Sequence, residues 1–168
     1  VAMKIVVVGT RGIPDIQGGV ETHCEELYPR LAAMGHDVTV VRRSCYVTPQ
    51  NKIKEYRGVH LKDIYAPRRK SIEAIVHTFL AIIYARWVGA DVVHIHAIGP
   101  ALLTPLARLL GLRVVMTHHG PDYDRQKWNK TAKSVLRWGE RMGANYANEV
   151  IVISTVIDNI LREKYDRT

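Results

Sequence analysis

The chain has 168 residues, 47% hydrophobic and 24% charged. That is enough for one globular domain with its own core, and it excludes a disordered or fibrous chain. Lysine and arginine outnumber aspartate and glutamate by 24 to 16, a formal net charge of +8. This balance points to anionic partners such as phosphorylated ligands, lipid headgroups or nucleic acid. Cys24 and Cys45 are the two cysteines. They form no disulfide framework and suit a reducing, cytoplasmic setting.

"KIVVVG" opens the chain as a run of β-branched residues, expected to be a strand buried on both faces. It is too short for a secretory signal. The glycine-rich stretch Gly9–Gly19 follows. A helix is expected from Gly19 to Met34, ending at the left-handed cap Gly35. Pro29 lies within it and cannot donate to the Glu25 carbonyl, which predicts a kink. Cys24 shares a helical stripe with Val20, Leu27 and Leu31 and reads as a buried small hydrophobe. "DVTVV" is the second strand and "GVHLKDIY" the third. The long run Ala74–Ala90 holds His77 and Arg86, falls short of a membrane span, and reads as a mostly buried helix with Ser71 as cap. "ADVVHIHA" is a strand, "GPALLTPLARLLG" a helix, "RVVMTHHG" a strand and "TAKSVLRWGERMGANYA" a helix. "EVIVIS" and "STVIDNILREKY" close the chain as strand and helix.

Such alternation predicts a single α/β domain over 1–168: a Rossmann-like, doubly wound parallel sheet with helices on both faces. Ligands of these sheets bind beyond the carboxyl ends of the strands. The residues that matter are then Thr10–Gly19, His94–Pro100 and Thr117–Asp124. Gly18 and Gly19 stand where a strand has ended and a helix begins. Helix N–H groups attract anions there, and a missing side chain lets a phosphate approach. The loop lacks both the dinucleotide fingerprint and the P-loop pattern. His94 and His96 share one sheet face, whereas the adjacent His118 and His119 point to opposite faces. One or two neutral histidines lining a cleft, with His94 structural, is preferred over zinc, because no His-Glu-x-x-His or cysteine pair is present. Asp122 and Asp124 look like a carboxylate pair, but polar loop chemistry with Asp124 as a helix cap explains them. The cations Lys52, Lys54, Arg57, Lys62, Arg68, Arg69 and Lys70 crowd one segment and read as a solvated face or an anionic-lipid contact. No nucleic-acid motif accompanies them.

The motifs "GTRGIP" with "GG-x-ET", "GHDVTVV", "DVVHIH", "THHGPDYDRQKW" and "EVIVIS", in that order, resemble the N-terminal, acceptor-side half of a GT-B glycosyltransferase of family 4. They are most like those of bacterial rhamnosyltransferases. The resemblance spans nearly the whole chain. It implies transfer of a sugar from a nucleotide sugar to a saccharide or lipid-linked acceptor with retention, in polysaccharide biosynthesis. The cytoplasm, with peripheral contact at an anionic membrane, is the expected location. On the resemblance, His119 is catalytic, Gly18 and Gly19 hold the donor phosphate, and Arg11, His96, Gly120 and Asp122 shape the acceptor cleft. No metal and no cofactor beyond the donor substrate is implied. The family's second, nucleotide-sugar domain has no counterpart in these residues, so the chain is expected to be inactive alone. A histidine-based metal hydrolase and a non-catalytic nucleotide- or phosphate-binding module are the alternatives.

Overall fold

A computed structural model describes residues 2–16, 18–67, 72–120 and 130–165. Seven strands form one sheet in the order β3-β4-β2-β1-β5-β6-β7. They are β1 (Lys4–Val8), β2 (Asp37–Arg43), β3 (Glu55–Tyr56), β4 (Val59–Ile64), β5 (Val92–His96), β6 (Arg113–His118) and β7 (Glu149–Val152). The helices are α1 (Gly19–Ala33), α2 (Glu73–Trp87), α3 (Thr104–Leu109), α4 (Lys130–Tyr146) and α5 (Thr155–Tyr165). This is the Rossmann-like α/β architecture expected, and the reversal of strand order lies between β1 and β5.

The β1 residues Val6, Val7 and Val8 are fully buried and alternate between two cores. Ile5 and Val7 pack against Cys24 and Tyr28 of α1, with Val38 and Val40 of β2 beside them. Val6 and Val8 face the opposite side, which Ala81, Ile82 and Ala85 of α2 share with Leu136 of α4. Each valine, isoleucine or leucine among them contributes about 1.5–3 kcal/mol through burial. The central strands are therefore apolar on both faces, which is why "KIVVV" shows no alternation.

Three expectations are corrected. The sheet is not wholly parallel: β3 pairs antiparallel with β4 at the edge, a hairpin turned at Arg57-Gly58. Parallel strands need a crossover, whereas this short polar stretch closes on itself. The stretch after Pro100 is not one helix. It forms a 3₁₀ turn over Pro100–Leu103 and then the short α3. Pro105 has no N–H to give the Ala101 carbonyl, and the Thr104 hydroxyl donates to it instead at 2.6 Å. Nor is α2 mostly buried, for Phe79, Ile83 and Trp87, spaced by one helical turn, face outward. Helix α1 runs through Pro29 as a single element. Ser71, Arg68, Arg69, Lys70, Asp122 and Asp124 lie outside the described residues.

Helix α4 crosses the β5 exit at very close range. A Cβ on Gly139 would overlap the Ile98 carbonyl oxygen, and one on Gly143 would lie 2.9 Å from Ala101 Cβ. Only glycine permits that approach. It fixes the position of His118, because Glu140 follows Gly139 and meets His118 Nε2 at 2.7 Å, both side chains fully buried.

Candidate functional site

The loop after β1 is held from beneath by Arg42, which is 1% exposed. Arg42 pairs with both carboxylate oxygens of Asp63, at 2.6 and 3.1 Å, and donates to the carbonyls of Asn51, Ile53 and Ile13. A buried guanidinium with this many acceptors fixes its surroundings. Its neighbour Arg43 pairs with Glu73 of α2 at 3.0 Å and donates to the Gly9 carbonyl. Arg11 is half-exposed. Its guanidinium lies 5.0 Å from the Tyr46 ring centroid and 4.0 Å from Glu21.

Gly18 caps α1 at φ 150°, and its missing side chain has a visible reason: a Cβ there would overlap the Glu21 carboxylate. Glu21 folds back over the first turn and accepts from the Thr10 hydroxyl at 3.0 Å. Burial raises its carboxyl above the ordinary value, against the hydrogen bond from Thr10 and the positive charges of Arg11 and Arg43. Gly19 has open space where its Cβ would be. The helix N-terminus thus carries an internal carboxylate on the Gly18 side and clear space on the Gly19 side.

One turn further along α1 lies a chain of buried polar groups. Thr117 Oγ1 meets His94 Nε2 at 2.6 Å, and His94 Nδ1 meets the Tyr28 hydroxyl at 2.6 Å. That hydroxyl meets His96 Nε2 at 2.5 Å, and His96 Nδ1 meets His119 Nε2 at 2.9 Å. The Cys24 thiol lies 3.7 Å from His96 Nε2, and burial raises its pKa so that it stays protonated. The ring of His23 packs edge-on against both His96 and His119. The alternation of β5 places His94 and His96 on the α1 side, where their rings stack at 4.2 Å.

Burial pulls His94 down to about 3, with His23 and His119 adding repulsion. Burial likewise holds His96 well below the usual histidine value. His119, half-buried, falls to about 4 by burial and by the nearness of His23 and His118. All three rings are neutral at pH 7, so each carries one N–H and one bare nitrogen. Two orderings satisfy every bond and also give the buried Tyr28 O–H proton an acceptor. In one, Thr117 donates to His94, His94 to Tyr28, Tyr28 to His96 and His96 to His119, leaving His119 Nδ1 a donor. In the other, every bond reverses and His119 Nδ1 becomes an acceptor. The chain therefore ties the outward chemistry of His119 to the buried Thr117.

The opposite face is organised differently. His118 Nε2 and Glu140 bond at 2.7 Å, and Tyr165 of α5 donates to the other Glu140 oxygen at 2.8 Å. Burial pushes the Glu140 carboxyl up, but hydrogen bonds from His118 and Tyr165 and the charges of His118 and Lys164 together hold it below the ordinary value. Gly120 returns its N–H to His118 Nδ1 at 3.1 Å. His118 is thus a structural residue of the α4 side.

The structure brings His96 and His119 together, and Gly18 with Arg11 through Glu21. Gly120 directly follows His119, and Asp122 lies outside the described residues. His96 is fully buried and reaches the cleft through His119. His94, read as structural from sequence, stands in the same chain. Tyr28, His23 and Glu21 were not legible as site residues, whereas Thr117 fell at the start of a stretch the sequence singled out. One signal existed for Tyr28: it follows Cys24 by one turn on the core-facing stripe, and a buried tyrosine hydroxyl needs a partner. Among the described residues, no group of three His, Cys, Asp or Glu side chains is arranged to hold a metal ion. The ring nitrogens of His94 and His96 are engaged with Thr117, Tyr28 and His119.

The fold is that of one half of a GT-B glycosyltransferase. Sucrose-phosphate synthase from Thermosynechococcus elongatus superposes with a TM-score of 0.75 at 20% identity, over 96% of this chain and 45% of that one. Glycyrrhiza uralensis UGT73P12, solved with glycyrrhetinic acid 3-O-monoglucuronide, superposes with a TM-score of 0.57 at 11% identity, over 100% of this chain and 48% of that one. The chain spans under half the length of either protein. No curated protein matches it. The pattern of Glycosyltransferase Family 4 matches residues 17–168, and the chain belongs to that family.

Proposed function

We propose that this chain is the acceptor-side half of a retaining glycosyltransferase, which moves a hexosyl group such as rhamnose from a nucleotide sugar to a saccharide or lipid-linked hydroxyl. The observation that carries the reading is the buried chain Thr117–His94–Tyr28–His96–His119, which ends on a half-buried neutral imidazole at the carboxyl end of the sheet. A neutral imidazole held from behind offers one fixed hydrogen bond to a sugar hydroxyl as charge develops on the departing phosphate. His119 is the catalytic residue in this reading, and His96 positions it. Gly18 and Gly19 hold the donor phosphate at the α1 N-terminus, Gly19 by its open approach and Gly18 by the turn that folds around Glu21. The raised carboxyl of Glu21 favours its neutral form beside that anion. Arg11, Gly120 and Asp122 line the acceptor side. No metal takes part, and the donor is a substrate rather than a cofactor. The second domain completes the cleft, and the 168 residues alone do not turn over. The setting is the bacterial cytoplasm, in polysaccharide assembly.

The test is turnover of a panel of nucleotide sugars by the chain alone and by the chain joined to its downstream sequence. The joined form is active and the chain alone is not. His119→Ala in the joined form lowers kcat by ~10²–10³ while leaving the fold intact. Unchanged kcat in folded His119→Ala would overturn the assignment, and a bound transition metal required for activity would favour the hydrolase alternative.

A further inference from the structure

The buried His118–Glu140 pair joins more of the molecule than α4 and β6. The two oxygens of the Glu140 carboxylate serve different elements. Oε2 meets His118 Nε2 at 2.7 Å, at the end of β6. Oε1 accepts from the Tyr165 hydroxyl at 2.8 Å and lies 3.8 Å from Lys164 Nζ, both on the last turn of α5. Ala144, Ile157 and Leu161 pack α5 against α4 behind this contact. On the far side of the ring, His118 Nδ1 accepts the Gly120 N–H at 3.1 Å. A carboxylate only accepts, so it draws the imidazole proton to Nε2 and leaves Nδ1 bare for Gly120. This ring therefore has one ordering, where the chain behind His119 has two. With both nitrogens engaged and both side chains fully buried, His118 and Glu140 are not a second acid–base site.

We propose that Glu140 is a positioning residue for the strand exit that carries His119, and that the last turn of α5 sets it. The inference rests on the glycosyl-transfer reading for the importance of His119, not for the link itself. The bond from Gly120 back to His118 closes a small loop of backbone around His119. His119 is then held at its ring by His96 Nδ1, 2.9 Å from its Nε2, and at its backbone by His118. Gly120 has a φ of 141°, and a Cβ there would meet nothing within 4 Å, so glycine serves the turn and not the space. The close approach of Gly139 to the Ile98 carbonyl keeps the next residue, Glu140, within reach of the ring. A shift of α5 that withdraws Tyr165 changes the donors on Glu140, and through His118 the turn at Gly120. Partners set behind a histidine in this way act by fixing its tautomer and orientation.

The experiment is NMR of the chain with ¹⁵N-labelled histidine and glycine, in the parent and in Glu140→Gln, Tyr165→Phe and Ile157→Val. The parent should show His118 protonated at Nε2 and a slowly exchanging Gly120 amide. Glutamine offers an N–H as well as an oxygen, so Glu140→Gln no longer holds the ring in one tautomer. Gly120 exchange should then rise about tenfold, the worth of one hydrogen bond, and the His119 ring signals should shift. Tyr165→Phe should move the same signals in the same direction by less, and it keeps the test open should Glu140→Gln unfold. Ile157→Val trims the packing of α5 on Ala144 and leaves Glu140 alone, so both signals should stay parental. In the joined enzyme, kcat of Glu140→Gln should fall about tenfold with donor KM unchanged. Parental Gly120 exchange and His119 signals in Glu140→Gln and Tyr165→Phe would overturn the proposal, as would equal changes in Ile157→Val. So would a parental kcat for Glu140→Gln in a joined enzyme that His119→Ala disables. A parental kcat for His119→Ala is the separate result that removes the transfer reading, and the exchange rates then still decide the link.

Discussion

The two sides of the sheet solve opposite problems with the same scaffold. The α1 side is one helix deep, and its interior holds Tyr28, His94, His96 and Thr117 bonded end to end. The α2–α4 side has a larger apolar core, with the pairs His118–Glu140 and Arg43–Glu73 set at separate points of it. Its outer surface leaves Phe79, Ile83, Trp87, Leu109 and Trp138 exposed. Burying several titratable rings makes the α1 side sensitive to pH, and close helix packing makes the other side sensitive to volume. The two sides should therefore fail under different insults.

Acid is the largest. Burial lowers His94 to about 3 and His119 to about 4, with His96 lower than ordinary as well. The unfolded chain takes up protons near pH 6.5 that the folded chain refuses. The stability these neutral rings hold is complete above that pH and is lost as pH falls toward 4, at about 1.4 kcal/mol per pH unit per histidine. His77 of α2, lowered to about 4 by burial, adds to the loss. So does Glu140, whose depressed value makes it lose stability as it protonates. Glu21 works the other way, since its raised value stabilises the fold at low pH and that gain fades as pH rises through it. One carboxyl does not offset four rings. The chain should unfold in mild acid, and amides of α1 should lose hydrogen-exchange protection at a higher pH than those of α4. Earlier loss in α4 would move the acid-sensitive element to Glu140.

Volume is the second. Gly139→Ala drives a Cβ into the Ile98 carbonyl, and neither partner is a flexible side-chain end. The expected loss is at the upper end of about 1–3 kcal/mol or beyond, read as a lower urea midpoint. A near-parental midpoint would mean that α4 slides at little cost, and that the packing contrast between the two sides is wrong.

Third comes Tyr28→Phe, which keeps the ring and removes the central hydroxyl of the buried chain. Leaving His94 Nδ1 and His96 Nε2 without that partner costs about 1–3 kcal/mol. Ring ¹⁵N shifts in the parent should report one dominant tautomer for His119, and in Tyr28→Phe a mixture. In the joined enzyme kcat should fall with donor KM unchanged, because Tyr28 acts through His96 and His119. An unaltered His119 tautomer in the folded variant would show that His119 is set by something other than this chain.

Most of the fold was legible because the strands are strongly apolar and separated by glycine-led turns. The elements misread were those decided by a single bond or by a partner far along the chain. Pro105 splits its helix through one missing N–H. The exposure of Trp87 depends on which face α2 turns to β1 and β4. Of the candidate site, the sequence singled out the strand-end residues His96 and His119 and the helix cap Gly18. The site was not legible in Tyr28 or Glu21, because a helix position shows its spacing but not which strand it covers. Glu21 reads as an ordinary acidic first-turn residue, and only the fold shows it filling the space beside Gly18.

The smallest effect separates the two adjacent glycines. At Gly19 a Cβ meets nothing within 4 Å, and the residue starts α1 without a positive φ, so Gly19→Ala should hold stability within about 0.5 kcal/mol of the parent. At Gly18 the φ of 150° disfavours any side chain, and the added Cβ would overlap the Glu21 carboxylate. Gly18→Ala should therefore cost about 1 kcal/mol or more, part of it recovered in Gly18→Ala with Glu21→Gln as the neutral amide swings away. Thermal melts of the parent and these three variants fix the stabilities. Donor affinity in the joined enzyme then isolates function: since Gly19→Ala leaves the fold alone, any weakening of donor binding there comes from the Cβ standing between an anion and the helix N–H groups. Unchanged affinity in Gly19→Ala and in Gly19→Val would remove the phosphate from this helix end and leave Gly18 as a turn shaped around Glu21.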